Sequence, residues 1–105
     1  MTLEDLRKIK TFQTRTIAEA CRDEETKIYI INCLQRFFTG DYGEIGEEDT
    51  EANNNDLVNG CGHILARYKG KYRLENDFYI EAHFDDQEPG NTDFNNIMIM
   101  YPSER

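Results

Sequence analysis

Seven carboxylates lie between residues 37 and 66 of this chain, and no lysine or arginine lies among them. Concentrating one sign of charge in a small protein destabilises it through self-repulsion, so a chain that keeps such a segment is expected to use its field. This negative field attracts a basic surface on another molecule. The candidate partner-binding carboxylates of this acidic segment are Asp41, Glu44, Glu47, Glu48, Asp49, Glu51 and Asp56.

Tyr42 is an aromatic residue beside these carboxylates, in the sequence Gly-Asp-Tyr-Gly at residues 40–43. Glycine and aspartate are typical of surface turns. A tyrosine exposed in such a turn can anchor a protein partner, because it has a large apolar ring and a polar tip. We therefore add Tyr42 to the candidate partner-binding residues.

The spacing of the carboxylates favours a phosphate-like surface. Residues one helical turn apart are separated by about 5.4 Å along the axis, which approaches the spacing of phosphates along a strand. A second acidic cluster would extend this surface, and it consists of Glu81, Asp85, Asp86, Glu88 and Asp93. A calcium loop is disfavoured because the Asp-x-Asp-x-Asp-Gly spacing is missing. A solvated helix face is the plainer alternative, although such faces usually mix both signs of charge.

Cys61 and His63 are the candidate ligands for a metal, because a thiolate and an imidazole can both bind zinc. Cys33 or His83 would have to complete the set. The spacing matches none of the paired motifs of structural zinc sites, so a glycine-flanked turn with a small buried cysteine is the favoured interpretation. We predict no metal and no other cofactor. A small zinc-binding structural or interaction protein is the alternative.

Catalytic motifs are missing from the sequence. There is no glycine-rich phosphate loop, no nucleophile elbow and no His-Glu-x-x-His pair, and the two histidines are twenty positions apart. We therefore predict a protein that is not an enzyme. An accessory protein that binds an unrelated partner is a further alternative.

The length and charge of the chain limit the classes of protein to which it can belong. A chain of 105 residues has room for one core, so we predict a single domain over residues 1–105. Residues 1–36 carry seven basic and six acidic side chains, whereas residues 37–105 carry five basic and fifteen acidic ones. Direct binding to nucleic acid is not expected, because affinity for phosphates comes largely from Lys and Arg.

Membrane insertion and secretion are not expected either. No apolar run approaches the length of a membrane span, and the first ten residues lack the apolar region of a signal peptide. Cys21, Cys33 and Cys61 form an odd set without a Cys-x-x-Cys pair, which is typical of reduced thiols. We therefore expect the protein in the cytoplasm.

Two longer patterns in the sequence, one apolar and one polar, each predict a helix. Asp23 can cap a helix that continues to residue 38, with an apolar face centred on Ile28, Ile31, Leu34 and Phe38 and widened by Ile30, Cys33 and Phe37. A second, polar helix is predicted over residues 47–58, with Asn59-Gly60 as its stop. Its buried stripe would consist of Ile45, Ala52, Leu57 and Val58.

Short apolar runs predict strands at residues 63–68, 78–84 and 97–101, and β-branched residues allow a fourth at 11–17. The connections between the runs at 63–68, 78–84 and 97–101 are short or polar and contain turn residues. The pattern predicts an α+β fold, in which two helices pack on a small antiparallel sheet of three to four strands.

Several longer stretches resemble a family of small phage- and plasmid-borne proteins of uncharacterised function. They are Thr-Gly-Asp-Tyr-Gly-Glu-Ile-Gly-Glu-Glu-Asp-Thr-Glu-Ala-Asn at 39–53, Asn-Gly at 59–60, Ile-Leu-Ala-Arg-Tyr at 64–68 and Met-Ile-Met-Tyr-Pro-Ser-Glu at 98–104. Mobile-element proteins of this size and acidity also resemble anti-CRISPR proteins. The resemblance implies an acidic inhibitor that binds a CRISPR effector nuclease, or another basic nucleic-acid-binding protein of the host cell, and blocks its nucleic-acid binding. It supplies no catalytic residue.

Overall fold

The chain forms four helices and four strands in the computed structural model, which describes residues 1–105. A short 3-10 helix, Pro102–Glu104, follows the last strand. The helices are α1 Leu3–Leu6, α2 Arg15–Ala20, α3 Glu24–Phe38 and α4 Glu47–Asn59. The strands are β1 Thr11–Gln13, β2 Gly62–Tyr68, β3 Phe78–Phe84 and β4 Asn96–Met100.

The strands form one sheet in the order β1-β4-β3-β2, which confirms the α+β fold. The sheet is mixed, because β1 runs parallel to β4 with Thr11 opposite Ile97, while the other neighbours are antiparallel. The prediction of a purely antiparallel sheet was therefore wrong. Strands β2, β3 and β4 follow one another directly in the sequence and pair as antiparallel neighbours, but β1 joins the sheet from the far end of the sequence, where no hairpin sets its direction.

Strand β1 is shorter than the predicted run 11–17, because a helix begins inside that run. The hydroxyl of Thr14 accepts a hydrogen bond from the amide of Ile17 at 3.4 Å and caps α2. A threonine hydroxyl in this position satisfies one of the free amides of the first helical turn. Thr16 and Ile17 therefore belong to a helix, which Thr14 caps.

Helix α3 begins after Asp23 as predicted, and the Asp23 carboxylate accepts a hydrogen bond from the amide of Thr26 at 3.1 Å. Its buried face differs from the predicted one. Ile28 and Ile31 are 50% and 46% exposed, whereas the side chains turned inward are Thr26, Ile30, Cys33, Phe37 and Phe38. Thr26 can lie in the core because its hydroxyl donates to Asp23 and accepts from the amide of Arg73.

Helix α4 extends one residue beyond its predicted end and stops at Gly60, which has a left-handed φ of 77°. The predicted apolar stripe was wrong for Ala52 and Val58, which are exposed. Leu57 is partly buried against the core, and the one buried residue of the helix is Asn53. A polar residue therefore occupies the centre of the face that the helix turns to the protein.

The core consists of 18 buried residues that lie between the sheet, α1 and α3 and beneath the turn that precedes α4. Its largest members are aromatic, among them Phe37, Tyr68, Phe78 and Phe84. None of the four helices has the length and apolar character that a membrane span requires.

Candidate partner-binding surface

Helix α4 and the turn before it, which carry the carboxylates of the acidic segment, cover the outer edge of the sheet along β2. The side-chain amide of Asn53 donates to the carbonyl of Leu65 at 2.9 Å and accepts from the amide of Leu65 at 3.1 Å. Three residues further along α4, a carboxylate oxygen of Asp56 accepts from the amide of His63 at 3.2 Å. These bonds satisfy backbone groups that an edge strand otherwise leaves free.

The turn before α4 continues this cover. The amide of Arg67 donates to the carbonyl of Tyr42 at 3.1 Å, and the amide of Glu44 donates to the carbonyl of Arg67 at 2.7 Å. Gly43 has a φ of 73°, and a Cβ atom there would collide with the carbonyl oxygen of Arg67 and the ring of Tyr68. Only glycine lets the turn approach the strand this closely. The segment that carries the carboxylates is thus fixed to the sheet at several points.

Five of the predicted partner-binding carboxylates are exposed and form no ion pair. The salt bridges of the protein involve other carboxylates. Three of the five lie in the first turn of α4, where the positive end of the helix stabilises negative charge. The N-cap residue Gly46 has no side chain that could cap this end of the helix. The five are Glu44, Glu47, Glu48, Asp49 and Glu51.

Asp41 and Asp56 have partners within the protein. The Nε of Arg36 donates to Asp41 at 2.7 Å, and its Nη2 donates to the second carboxylate oxygen at 3.3 Å. This hydrogen-bonded guanidinium lowers the pKa of Asp41, and a bond from the amide of Gly43 adds to the effect. Asp56 holds the start of β2 through the amide of His63. Both carboxylates therefore position the segment.

Tyr42 is buried, with 3% of its surface exposed, so the expectation of an exposed anchor was wrong. Its ring packs edge-on against Phe37 at 6.0 Å between centroids, and burial raises the pKa of its hydroxyl. The hydroxyl is buried without a hydrogen-bond partner. Because the backbone of Tyr42 bonds to Arg67, the turn lies against β2 and directs the ring into the core.

The second acidic cluster does not form one exposed surface. Glu81 is 2% exposed and accepts from Nη2 of Arg105 at 2.7 Å. Asp86 accepts from the side-chain amide of Asn91 and from the amide of Glu88, which closes a turn. The members that remain exposed are Asp85, Glu88 and Asp93.

The zinc candidates are divided between two places. Cys33 is buried in α3, where burial raises the pKa of its thiol, whereas Cys61 and His63 are exposed at the start of β2. His83 lies opposite His63 on β3. No group of three or more His, Cys, Asp or Glu side chains has an arrangement that holds a metal ion.

Two buried asparagines were not identified from the sequence. Asn95 is fully buried, and its side chain accepts from the amides of Asp85 and Asp86 and donates to the carbonyls of Asp86 and Glu88. Asn53 plays the corresponding role at the edge of β2. A signal for Asn53 was present, because three consecutive asparagines are unusual in a helix, where this residue is a poor helix former.

Comparisons with protein-family models, with curated proteins and with solved structures find no match to this chain.

Proposed function

We propose that this protein is an acidic inhibitor of anti-CRISPR type, which binds the basic surface of a host nucleic-acid-binding protein and blocks its access to nucleic acid. A CRISPR effector nuclease is the proposed target. The observation that supports the proposal is the set of five exposed carboxylates without ion pairs on α4 and the turn before it. These residues are the proposed contacts: Glu44, Glu47, Glu48, Asp49 and Glu51.

The helical spacing gives three of these carboxylates a common direction. Glu47 and Glu51 are separated by four residues and Glu48 and Glu51 by three, so the three side chains lie on one side of α4 within little more than one turn. The opposite side faces the protein, because Asn53 bonds to β2. Lys and Arg side chains of a target would pair with these carboxylates in place of phosphates.

The attachment of the segment to the sheet favours binding. A partner that meets an already ordered helix does not have to order it, which removes part of the entropic cost of association. Asp41, Asp56 and Asn53 keep α4 on the edge of β2, and Tyr42 fills the core beneath the turn. These four residues are proposed to act through the position of α4, without contact to the target.

Neutralising the contact carboxylates tests the proposal. The variant E47Q/E48Q/D49N/E51Q removes four negative charges from α4, and the control E4Q/E19Q/E24Q/E25Q removes four from exposed positions in residues 1–36. Each protein is titrated against a panel of purified CRISPR effector nucleases, with fluorescence anisotropy of labelled target DNA as the measurement. We expect the wild-type protein and the control to displace DNA from an effector at stoichiometric amounts, and the α4 variant to lose at least tenfold in potency.

Two results would contradict the proposal at different points. If the control loses as much potency as the α4 variant, net charge alone drives the effect and α4 is not the contact surface. If the wild-type protein displaces DNA from no effector, the target class is wrong. Affinity capture from host lysate with the same two variants then identifies any partner that depends on the α4 carboxylates.

A further inference from the structure

Two histidines face each other on neighbouring antiparallel strands. His63 of β2 and His83 of β3 are directly opposite in the register, so their side chains leave the same face of the sheet. Their ring centroids are 5.8 Å apart and the ring planes are inclined by 33°. Both side chains are exposed, and His63 forms no side-chain hydrogen bond within the protein. The pair is therefore open to a ligand from solution.

A buried carboxylate fixes one of the two rings. Nε2 of His83 lies 2.9 Å from Oε1 of Glu81, whose side chain is only 3% exposed. The other oxygen of Glu81 accepts from Arg105 at 2.7 Å. Since the carboxylate accepts, we assign the proton of neutral His83 to Nε2, which leaves the lone pair of Nδ1 free. An imidazole oriented by a carboxylate in this way is the usual arrangement of a metal-binding histidine.

We propose that His63 and His83 bind a divalent metal ion of the zinc and nickel type, with Glu81 as a positioning residue. Imidazole nitrogens suit these ions and bind them at about 2.0 to 2.1 Å, which places two coordinated ring centroids about 5 to 6 Å apart. The observed separation of 5.8 Å already meets this requirement. The protein supplies two ligands and water completes the coordination. The sequence led us to predict no metal, and this site also differs from the alternative zinc site at Cys61 and His63, because Cys61 is not among its ligands.

Zinc binding to the full-length protein tests the site. Metal-free protein is titrated with ZnCl₂ by isothermal titration calorimetry, in a buffer with a phosphine reductant that keeps the thiols reduced. We expect one ion per chain, a loss of at least tenfold in affinity for His63→Ala and for His83→Ala, and no more than a twofold change for Cys61→Ser. His63 is exposed and forms no side-chain bond, so His63→Ala leaves the fold intact. In His83→Ala the buried Glu81 keeps Arg105 as its partner, and circular dichroism checks the fold of both variants.

The role of Glu81 has its own measurement. Glu81→Gln is expected to weaken zinc binding by about 10- to 100-fold, the usual effect of losing a carboxylate behind a metal-bound histidine. Nitrogen-15 NMR of the imidazoles distinguishes positioning from general stability. In the wild-type protein we expect protonated Nε2 and unprotonated Nδ1 at His83, with zinc shifting the Nδ1 signal. In the glutamine variant we expect a mixture of tautomers.

Three results would overturn the proposal. The first is the absence of saturable zinc binding up to about 1 mM, a concentration that half fills even a weak site with a Kd of about 1 mM. The second is binding that persists with unchanged affinity when both histidines are replaced. The third is binding that disappears in Cys61→Ser, which would place the ion at the thiol.

Discussion

Asn53 and Leu65 exchange two hydrogen bonds between helix α4 and the outer edge of the sheet. The side-chain nitrogen of Asn53 donates to the carbonyl of Leu65 at 2.9 Å, and its oxygen accepts from the amide of Leu65 at 3.1 Å. One amide side chain thus supplies the donor and the acceptor that a neighbouring strand would supply. This pair fixes the helix that carries the proposed contact carboxylates.

Replacing Asn53 should loosen this attachment. Asn53→Ala leaves the amide and carbonyl of Leu65 without partners in a partly buried place, so we expect a loss of about 1 to 3 kcal/mol in the free energy of unfolding. Urea denaturation measures it. Asn54→Ala is the matched control, because the neighbouring side chain is exposed and alanine is the better helix former. Equal effects of the two substitutions would mean that the bonds to Leu65 contribute nothing.

The limits of α4 follow from local sequence, but its buried side does not. The acidic first turn and Gly60 predict a helix close to the observed Glu47–Asn59. The apolar pattern predicts a buried Val58, which is 79% exposed, and gives no sign of the buried Asn53. The burial of Asn53 depends on a backbone partner twelve residues further along the chain, and no helical pattern contains that information.

The facing of α3 gives a second prediction. Ile30 is 4% exposed and Ile28 is 50% exposed. We expect Ile30→Ala to lower the free energy of unfolding by about 2 to 5 kcal/mol, because it leaves a cavity in the core. Ile28→Ala should change it by no more than about 0.5 kcal/mol, as exposed substitutions usually do. Thermal or urea denaturation of the two variants compares them, and a larger effect at Ile28 would contradict the observed facing.

Apolar residues surround α3 too widely for the sequence to select one side. The cap at Asp23 and the stop after Phe38 could both be predicted because they depend on neighbouring residues. The inward face includes Thr26, whose hydroxyl is bonded to Asp23 and to the amide of Arg73. The parallel alignment of β1 with β4 was equally hidden, since it joins segments more than eighty residues apart.

Tyr42 gives a third prediction, which separates a core role from a role in binding. Its hydroxyl is buried without a partner, so Tyr42→Phe removes a group whose desolvation is uncompensated. We expect the melting temperature of this variant to equal or exceed that of the wild-type protein, with unchanged inhibitory potency. Tyr42→Ala should instead cost about 3 to 5 kcal/mol of unfolding free energy. A loss of potency in a fully stable Tyr42→Phe protein would return this residue to the contact surface.

The ion pair of Asp41 with Arg36 gives a fourth prediction, which concerns pH. Hydrogen bonds from Arg36 hold the pKa of Asp41 below the value of about 3.9 expected in the unfolded chain. A carboxyl with a lowered folded pKa stabilises the fold above the unfolded pKa, and this contribution is lost as pH falls through the folded pKa. The carboxyl signal of Asp41 followed by carbon-13 NMR should therefore titrate below about 3.9, and should move up in Arg36→Gln. A midpoint above that value in the wild-type protein would mean that the pair does not form in solution.

The unpaired carboxylates of α4 give the last prediction, in which salt acts in opposite directions on the free protein and on its complex. Glu51 lies one turn after Glu47 and Glu48, and none of the three has a basic partner to offset their mutual repulsion. Salt screens exposed charges, with a Debye length of about 10 Å at 0.1 M. Raising NaCl from about 0.05 to 0.5 M should therefore raise the melting temperature of the free protein and weaken the proposed complex.

Two substitutions separate this repulsion from the effect of the helix end. Glu51→Gln should reduce the dependence of the melting temperature on salt, because it removes one of the repelling charges. Glu47→Gln should lower the melting temperature at low salt, because a charge in the first turn also interacts favourably with the positive end of the helix. If salt instead lowers the melting temperature of the wild-type protein, the carboxylates are paired in solution with Lys or Arg. They would then be unavailable to a basic partner, which would remove the main support for the proposed function.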